Sequence, residues 1–136
     1  EITHRLNITD AVTFLENLSD DELRRAYSRA GLFMLASVNQ GDHFEGFGFV
    51  FLEAAANGLP VIGTTGNGIS DAVSNGVNGI LVPQNDVQKT ADAIVSLFAN
   101  PEKLKKMSRG SNQWAQEHDM VKVINQYEKV YRDAVI

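Results

Sequence analysis

The chain contains no cysteine, which excludes a disulfide framework and any thiolate metal site, and which fits a reducing compartment. No apolar run approaches the roughly 20 residues that span a bilayer, so no transmembrane segment is expected, and no signal-peptide pattern is visible. The three histidines, His4, His43 and His118, lack metal-ligand spacing, so no metal site is expected. There is no nucleophile elbow to support Ser/His/Asp chemistry. Basic residues are outnumbered, 12 against 17 acidic ones, for a net charge of −5, which argues against a nucleic-acid surface. Internal repeats and low-complexity segments are also absent.

What is present is an ordinary globular composition over 136 residues, 43% hydrophobic and 21% charged, enough for one modest domain with a core. Residues 11–15 read as a short strand. Ser19 and Glu22 have capping-box spacing, and Leu23, Ala26, Tyr27 and Ala30 follow at helical spacing, with Gly31 as the cap. Residues 32–36, Leu-Phe-Met-Leu-Ala, form an apolar run expected to be a strand buried on both faces. A second strand is expected over residues 60–64 and a third over residues 79–82, with one helical turn near residues 70–73. Asp86 caps a helix whose apolar face reads Val87, Ala91, Ile94, Leu97 and Phe98. Asn100-Pro101 opens another helix, with Leu104, Met107, Ser111, Trp114 and Ala115 inward. A last helix from about Met120 carries Ile124, Tyr127, Tyr131 and Ala134, and Trp114 and the tyrosines sit at core spacing. Strands alternating with helices imply an α/β domain with a parallel sheet. Ligands of such sheets bind at the carboxyl ends of the strands, where the loops 16–19, 37–44 and 65–68 are expected to gather.

The organising stretch is Glu45-Gly46-Phe47-Gly48-Phe49-Val50-Phe51-Leu52-Glu53, which runs from a glycine-rich turn into a helix starting near Phe47 and ending at Gly58. A helix start presents unpaired amides and the positive end of the dipole, a natural seat for phosphate. Carboxylates beside such a seat make sense if each faces hydroxyls instead of the anion. A nucleotide-sugar, with a diphosphate between ribose and hexose, fits that order. Glu45 then reaches one end and Glu53 the other. The alternative leaves Glu53 a solvated helix residue and Glu45 a helix-start charge. Gly66-x-Gly68-x-x-Asp71 resembles half a dinucleotide fingerprint without its third glycine. His43, two residues before Glu45, is either a general base or a solvated loop histidine. The run Asp20-Asp21-Glu22 is explained by the dipole of the helix that it opens.

Glu45-Gly46-Phe47-Gly48, Glu53-Ala54, Ala56, Gly58 and Pro60-Val61-Ile62 together resemble retaining glycosyltransferases of the GT-B fold, and among them the family-four group. The resemblance continues through Gly68-Ile69, Asp71, the stretch from Gly76 to Pro83, and Asp86, and upstream through Val12-Thr13-Phe14-Leu15 and Ser19 to Leu23. It implies a Rossmann-like, three-layer C-terminal half of a GT-B fold, with residues 1–136 forming a partial nucleotide-sugar-binding domain. It implies that Glu45 is the catalytic-site carboxylate against the donor sugar, and that Gly46, Phe47, Gly48 and Phe49 offer amides to the sugar and diphosphate. Glu53 would take the ribose hydroxyls, while Asn17 and Leu18 pack on the base, mostly through backbone. Transfer in this family keeps the anomeric configuration and needs no bound metal or cofactor; the substrate is a nucleoside-diphosphate sugar.

The sequence also departs from the family. No Gly-Arg turn and following Lys precede Ala11, the first two β/α units are absent, Asp71 stands where Glu is usual, and Met120-Val121 replaces an aromatic position. The start at Glu1 points to a fragment or processed chain whose N-terminal domain is elsewhere in the enzyme. The expectations are therefore a cytoplasmic enzyme part, or one peripheral to a membrane in the full enzyme, inactive alone. The alternative is a non-catalytic α/β module that binds a nucleotide or a partner. The missing strands would lie between residues 11–15 and 32–36, so the first strand is expected to close up beside the second, or two copies to form a homodimer through the exposed strand edge.

Overall fold

The computed structural model describes residues 1–134. In chain order these form α1 (Ile2–Arg5), a 3-10 turn (Thr9–Ala11), α2 (Asp20–Arg29), β1 (Phe33–Met34), α3 (Phe49–Ala56) and β2 (Val61–Thr64). There follow α4 (Ile69–Ala72), β3 (Gly79–Val82), α5 (Val87–Phe98), α6 (Pro101–Glu117) and α7 (Met120–Ala134). The strands make one parallel sheet in the order β1-β2-β3, with Val61 opposite Phe33 on one side and Gly79 on the other. β2 is the central strand and is buried throughout.

Alternation along β2 builds two apolar layers. Val61 joins Phe51, Ala54, Leu59, Ile69, Ala72 and Val73 on one face, with Tyr27, Phe33, Leu35 and Phe47 packed around them. Ile62 joins Val82, Ala93, Leu97 and Met107 on the other, against α5 and α6. The result is the expected helix–sheet–helix, Rossmann-like arrangement. Helix starts follow the sequence closely. Ser19 and Glu22 form a reciprocal capping box on α2, Asp86 accepts from the Lys89 amide at 2.9 Å, and Asn100 accepts from the Lys103 amide at 3.0 Å.

Several expectations fail at the edges of the sheet. Residues 11–15 are not a strand: the 3-10 turn takes Ala11, and the extended backbone from Val12 onward has no ladder partner. Phe14 is consequently 73% exposed. The first strand does not close up beside β1; a groove of about 1100 Å³ stays open between it, α2 and Leu32. For the same reason β1 is short and only half covered, with Met34 43% exposed, instead of buried on both faces. Gly31 does not cap α2; Ala30 ends it in extended conformation, and Gly31 instead lies under the Phe98 ring. The inner face of α5 agrees in part with the one expected: Leu97 is buried and Ile94 packs on the core, joined by Ala93, whereas Val87, Ala91 and Phe98 are exposed. α7 buries none of its residues, so Tyr127 and Tyr131 are surface side chains, not core.

Candidate functional site

α3 begins two residues later than the periodicity indicates, because Gly48 stands at its N-cap with φ 76°. That backbone is left-handed, and a Cβ there would lie 2.8 Å from the Phe51 ring, so the turn requires glycine twice over. A glycine cap supplies no side-chain acceptor, and α3 has no side-chain cap hydrogen bond. The Phe51 amide donates to the Gly48 carbonyl at 2.9 Å, and the amides of Phe49 and Val50 are left for other partners. α2, α5 and α6 carry side-chain caps, whereas α3, like the one-turn helices α1 and α4, carries none.

The loops at the carboxyl edge of the sheet are tied to one another. The Gly68 amide donates to the Glu45 carbonyl at 3.0 Å. The Asn39 side chain donates to the Gly66 carbonyl at 2.8 Å, and its amide donates to Gln84 Oε1 at 2.8 Å. Gln84 Nε2 donates in turn to the Thr65 carbonyl at 2.8 Å. Thr64 Oγ1, buried, donates to the Ser37 carbonyl at 2.6 Å. Loops 37–44 and 65–68 and the Glu45 turn thus meet as expected. Asn39 and Gln84, which hold them, were not singled out from sequence, because nothing in one-dimensional spacing marks residues that bond only across loops.

Glu45, before α3, and Glu53, within it, occupy separate depressions. Glu45 is half-buried and shares about 300 Å³ with Ser37, Val38, Gln40, His43 and Phe44. His43 exchanges both backbone hydrogen bonds with Gln40 around a tight turn, leaving its exposed ring beside Glu45. Glu53 is exposed and faces α2 across a depression of about 330 Å³ lined by Asp20, Leu23, Arg24, Tyr27, Ala56 and Asn57. Tyr27 Oη donates to Glu53 Oε2 at 3.3 Å. Phe47 is half-buried and lies edge-on to Phe49, 5.4 Å between centroids, and near His118 at 6.4 Å. His118 stacks on Trp114 at 4.5 Å, so the turn rests on the end of α6. Trp114 Nε1 donates to the Ala72 carbonyl at 2.9 Å.

Asn17 and Leu18 are less directly placed. Asn17 is exposed with φ 53°, in the left-handed region that asparagine tolerates. Leu18 turns its side chain into the open groove beside α2, not into the Glu53 depression. Both nevertheless lead directly into the α2 turn that lines that depression. Asp71 is on α4, and the half fingerprint Gly66-x-Gly68 serves the loop contacts just described. Among the described residues no three His, Asp or Glu side chains gather as a metal-binding group, and no helix is long and apolar enough to cross a membrane.

Comparison with known proteins gives this geometry a family. The family model described as "Glycosyl transferases group 1" matches residues 1–114. The D-inositol 3-phosphate glycosyltransferase of Saccharomonospora viridis is 32% identical over 135 residues, covering 99% of this chain and 30% of that protein. The GDP-mannose-dependent alpha-(1-6)-phosphatidylinositol monomannoside mannosyltransferase of Mycobacterium tuberculosis is 30% identical over 116 residues, covering 84% of this chain and 30% of the relative. Among solved structures, Anabaena HepE in complex with UDP superposes with a TM-score of 0.82 at 25% identity, over 98% of this chain and 35% of that one. Sucrose-phosphate synthase from Thermosynechococcus elongatus superposes with a TM-score of 0.78 at 26% identity, over 98% of this chain and 33% of that one. The chain thus spans about 30% of the length of the curated relatives that it matches. On its sequence and its parallel α/β fold alike, the chain belongs to the group 1 glycosyl transferases, enzymes of the GT-B architecture.

Proposed function

We propose that these residues form the donor-binding part of a retaining glycosyltransferase, which moves a hexosyl group from a nucleoside-diphosphate sugar to an acceptor. The observation that carries the reading is the bare, glycine-capped start of α3 between two carboxylates in separate depressions. The opening amides of α3 and the dipole behind them receive the diphosphate. Glu45 faces the sugar, with Gly46, Phe47, Gly48 and Phe49 supplying backbone donors, and Glu53 takes the ribose hydroxyls. The base extends toward the α2 start, where Asn17 and Leu18 meet it through backbone. UDP and GDP-mannose in the names of related proteins support a nucleotide-sugar donor.

The acceptor hydroxyl adds to the anomeric carbon on the face from which the diphosphate departs and passes its proton to the leaving phosphate oxygen, so configuration is kept. Negative charge grows on the leaving phosphate, and the α3 amides stabilise it where it develops. Catalysis is metal-independent on this reading, because the helix start, not an ion, carries that charge. The acceptor is presented by the N-terminal domain of the longer, cytoplasmic enzyme. The 136 residues alone bind donor weakly and do not transfer sugar. Two copies pair along the open edge of β1 when no other strand covers it.

The two carboxylates separate experimentally. In the longer enzyme, Glu53→Ala weakens nucleoside diphosphate binding by about 1.5–3 kcal/mol, the range for hydrogen bonds to a charged group. Glu45→Ala lowers turnover more than it lowers that affinity. Equal effects of both substitutions on nucleoside diphosphate binding would contradict the assignment, and would favour a module that binds a nucleotide without catalysis.

A further inference from the structure

Glu53 projects from the exposed side of α3, where a glutamate side chain ordinarily samples many rotamers. Here one of its oxygens is held. Tyr27 Oη donates to Oε2 at 3.3 Å, and no protein donor reaches Oε1 among the described residues. The tyrosine is itself fixed. Its ring lies 6.1 Å from that of Phe33, which stands edge-on to Phe51 at 5.4 Å and 89°, and Phe51 is fully buried under the Gly48 turn. A continuous aromatic stack therefore links the glycine turn at the α3 start to the hydroxyl that holds Glu53. We infer that Tyr27 is a positioning residue for the donor, holding Glu53 with Oε1 turned free toward a vicinal pair of ribose hydroxyls.

The chemistry suits the part. Half-burial of the phenol and the neighbouring Glu53 carboxylate both push the Tyr27 pKa up, so the hydroxyl keeps its proton and donates to the carboxylate. Its bond occupies one lone pair of Oε2 and leaves Oε1 and the rest of Oε2 to accept from the two ribose hydroxyls. Leu23 and Arg24 line the same depression one turn nearer the α2 start, on the side toward the base. Removing only the phenolic oxygen leaves the Phe33 contact intact but frees Glu53, whose ordering must then be supplied by the ligand itself.

This inference rests on the donor-binding reading, and the two fail differently. The test is titration of the chain with UDP and GDP, and with their 2′,3′-dideoxy forms, for the parent, Tyr27→Phe, Glu53→Ala and the double variant, read by amide NMR shifts. Tyr27→Phe is expected to weaken the parent nucleotide by about three- to tenfold, the effect of freeing one rotamer-rich side chain. It is expected to leave the dideoxy nucleotide unchanged and to add nothing in the Glu53→Ala background. A purely packing role would weaken both nucleotides alike and shift the thermal midpoint. If Glu53→Ala weakens binding and Tyr27→Phe does not, the positioning role is wrong and the donor reading stands. If neither parent nucleotide binds, or Glu53→Ala has no effect, the donor reading is wrong and this inference falls with it.

Discussion

Gly68 and Gly46 meet backbone to backbone: a Cβ on Gly68 would overlap the Gly46 carbonyl oxygen, while the Gly68 amide bonds the Glu45 carbonyl at 3.0 Å. The turn that carries the first carboxylate is thus seated directly on the loop after β2. No flexible side chain stands between them to yield, so a methyl group at Gly68 must push two backbones apart. Gly68→Ala is expected to cost about 1–3 kcal/mol, as overpacking typically does. It should also displace the amides of residues 46–49. Thermal unfolding and amide shifts measure both; an unperturbed Glu45 turn with full stability would show that the contact is unimportant.

Acid should act on the helix starts. The Ser19 hydroxyl, and then its amide, hold Glu22 below its ordinary value of 4.5, and the Lys89 amide chiefly holds Asp86 below its ordinary 3.8. Both are depressed in the folded state, so each contribution is present above the unfolded value and is lost as pH falls through the folded one. The thermal midpoint should therefore decline as pH drops below about 4.5. Ser19→Ala should shrink that decline, because it removes the hydroxyl's bond to the Glu22 carboxylate and leaves only that of the backbone amide. A midpoint equally acid-sensitive with and without Ser19 would contradict the account.

The open flank of β1 makes a prediction about association. Phe33 and Leu35 donate to β2, at 3.0 Å to Pro60 and 3.1 Å to Ile62, so Met34 between them faces the unpaired side. Together with exposed Phe14 and Leu15, this is an edge that other chains can extend. Sedimentation at rising concentration should show dimer formation, weakened by Met34→Lys. A monomer at all concentrations would remove the homodimer from the account.

The sequence was most readable where short-range rules decide the outcome. The capping box at Ser19, the caps at Asp86 and Asn100, the inner face of α6 and the central strand all depend on neighbours a few residues away. The turn and helix within Glu45 to Glu53 were readable because glycines before an apolar run mark a sharp turn into a helix, and Gly48 takes that place. What escaped depended on distant partners. Residues 12–15 have strand composition but no strand beside them, so they stay unpaired. The heptad-like spacing of Tyr127 and Tyr131 marks an apolar face but cannot say whether anything covers it. Tyr27 read as an inward helix residue, and only the folded chain brings its hydroxyl to Glu53, 26 residues away.

The most direct test follows amide shifts of the isolated chain during titration with uridine and guanosine diphosphates. The family resemblance implies two charge-assisted phosphate contacts, from a Gly-Arg turn and a following Lys that residues 1–10 do not contain, worth about 1.5–3 kcal/mol each. Binding is therefore expected to fall toward roughly the millimolar range, at about 1.4 kcal/mol per decade. The account predicts weak, saturable shifts centred on the amides of residues 46–49 and on Glu53, with no sugar transfer from a nucleotide-sugar. Shifts confined to other surfaces, tight binding, or turnover without an added partner would contradict it.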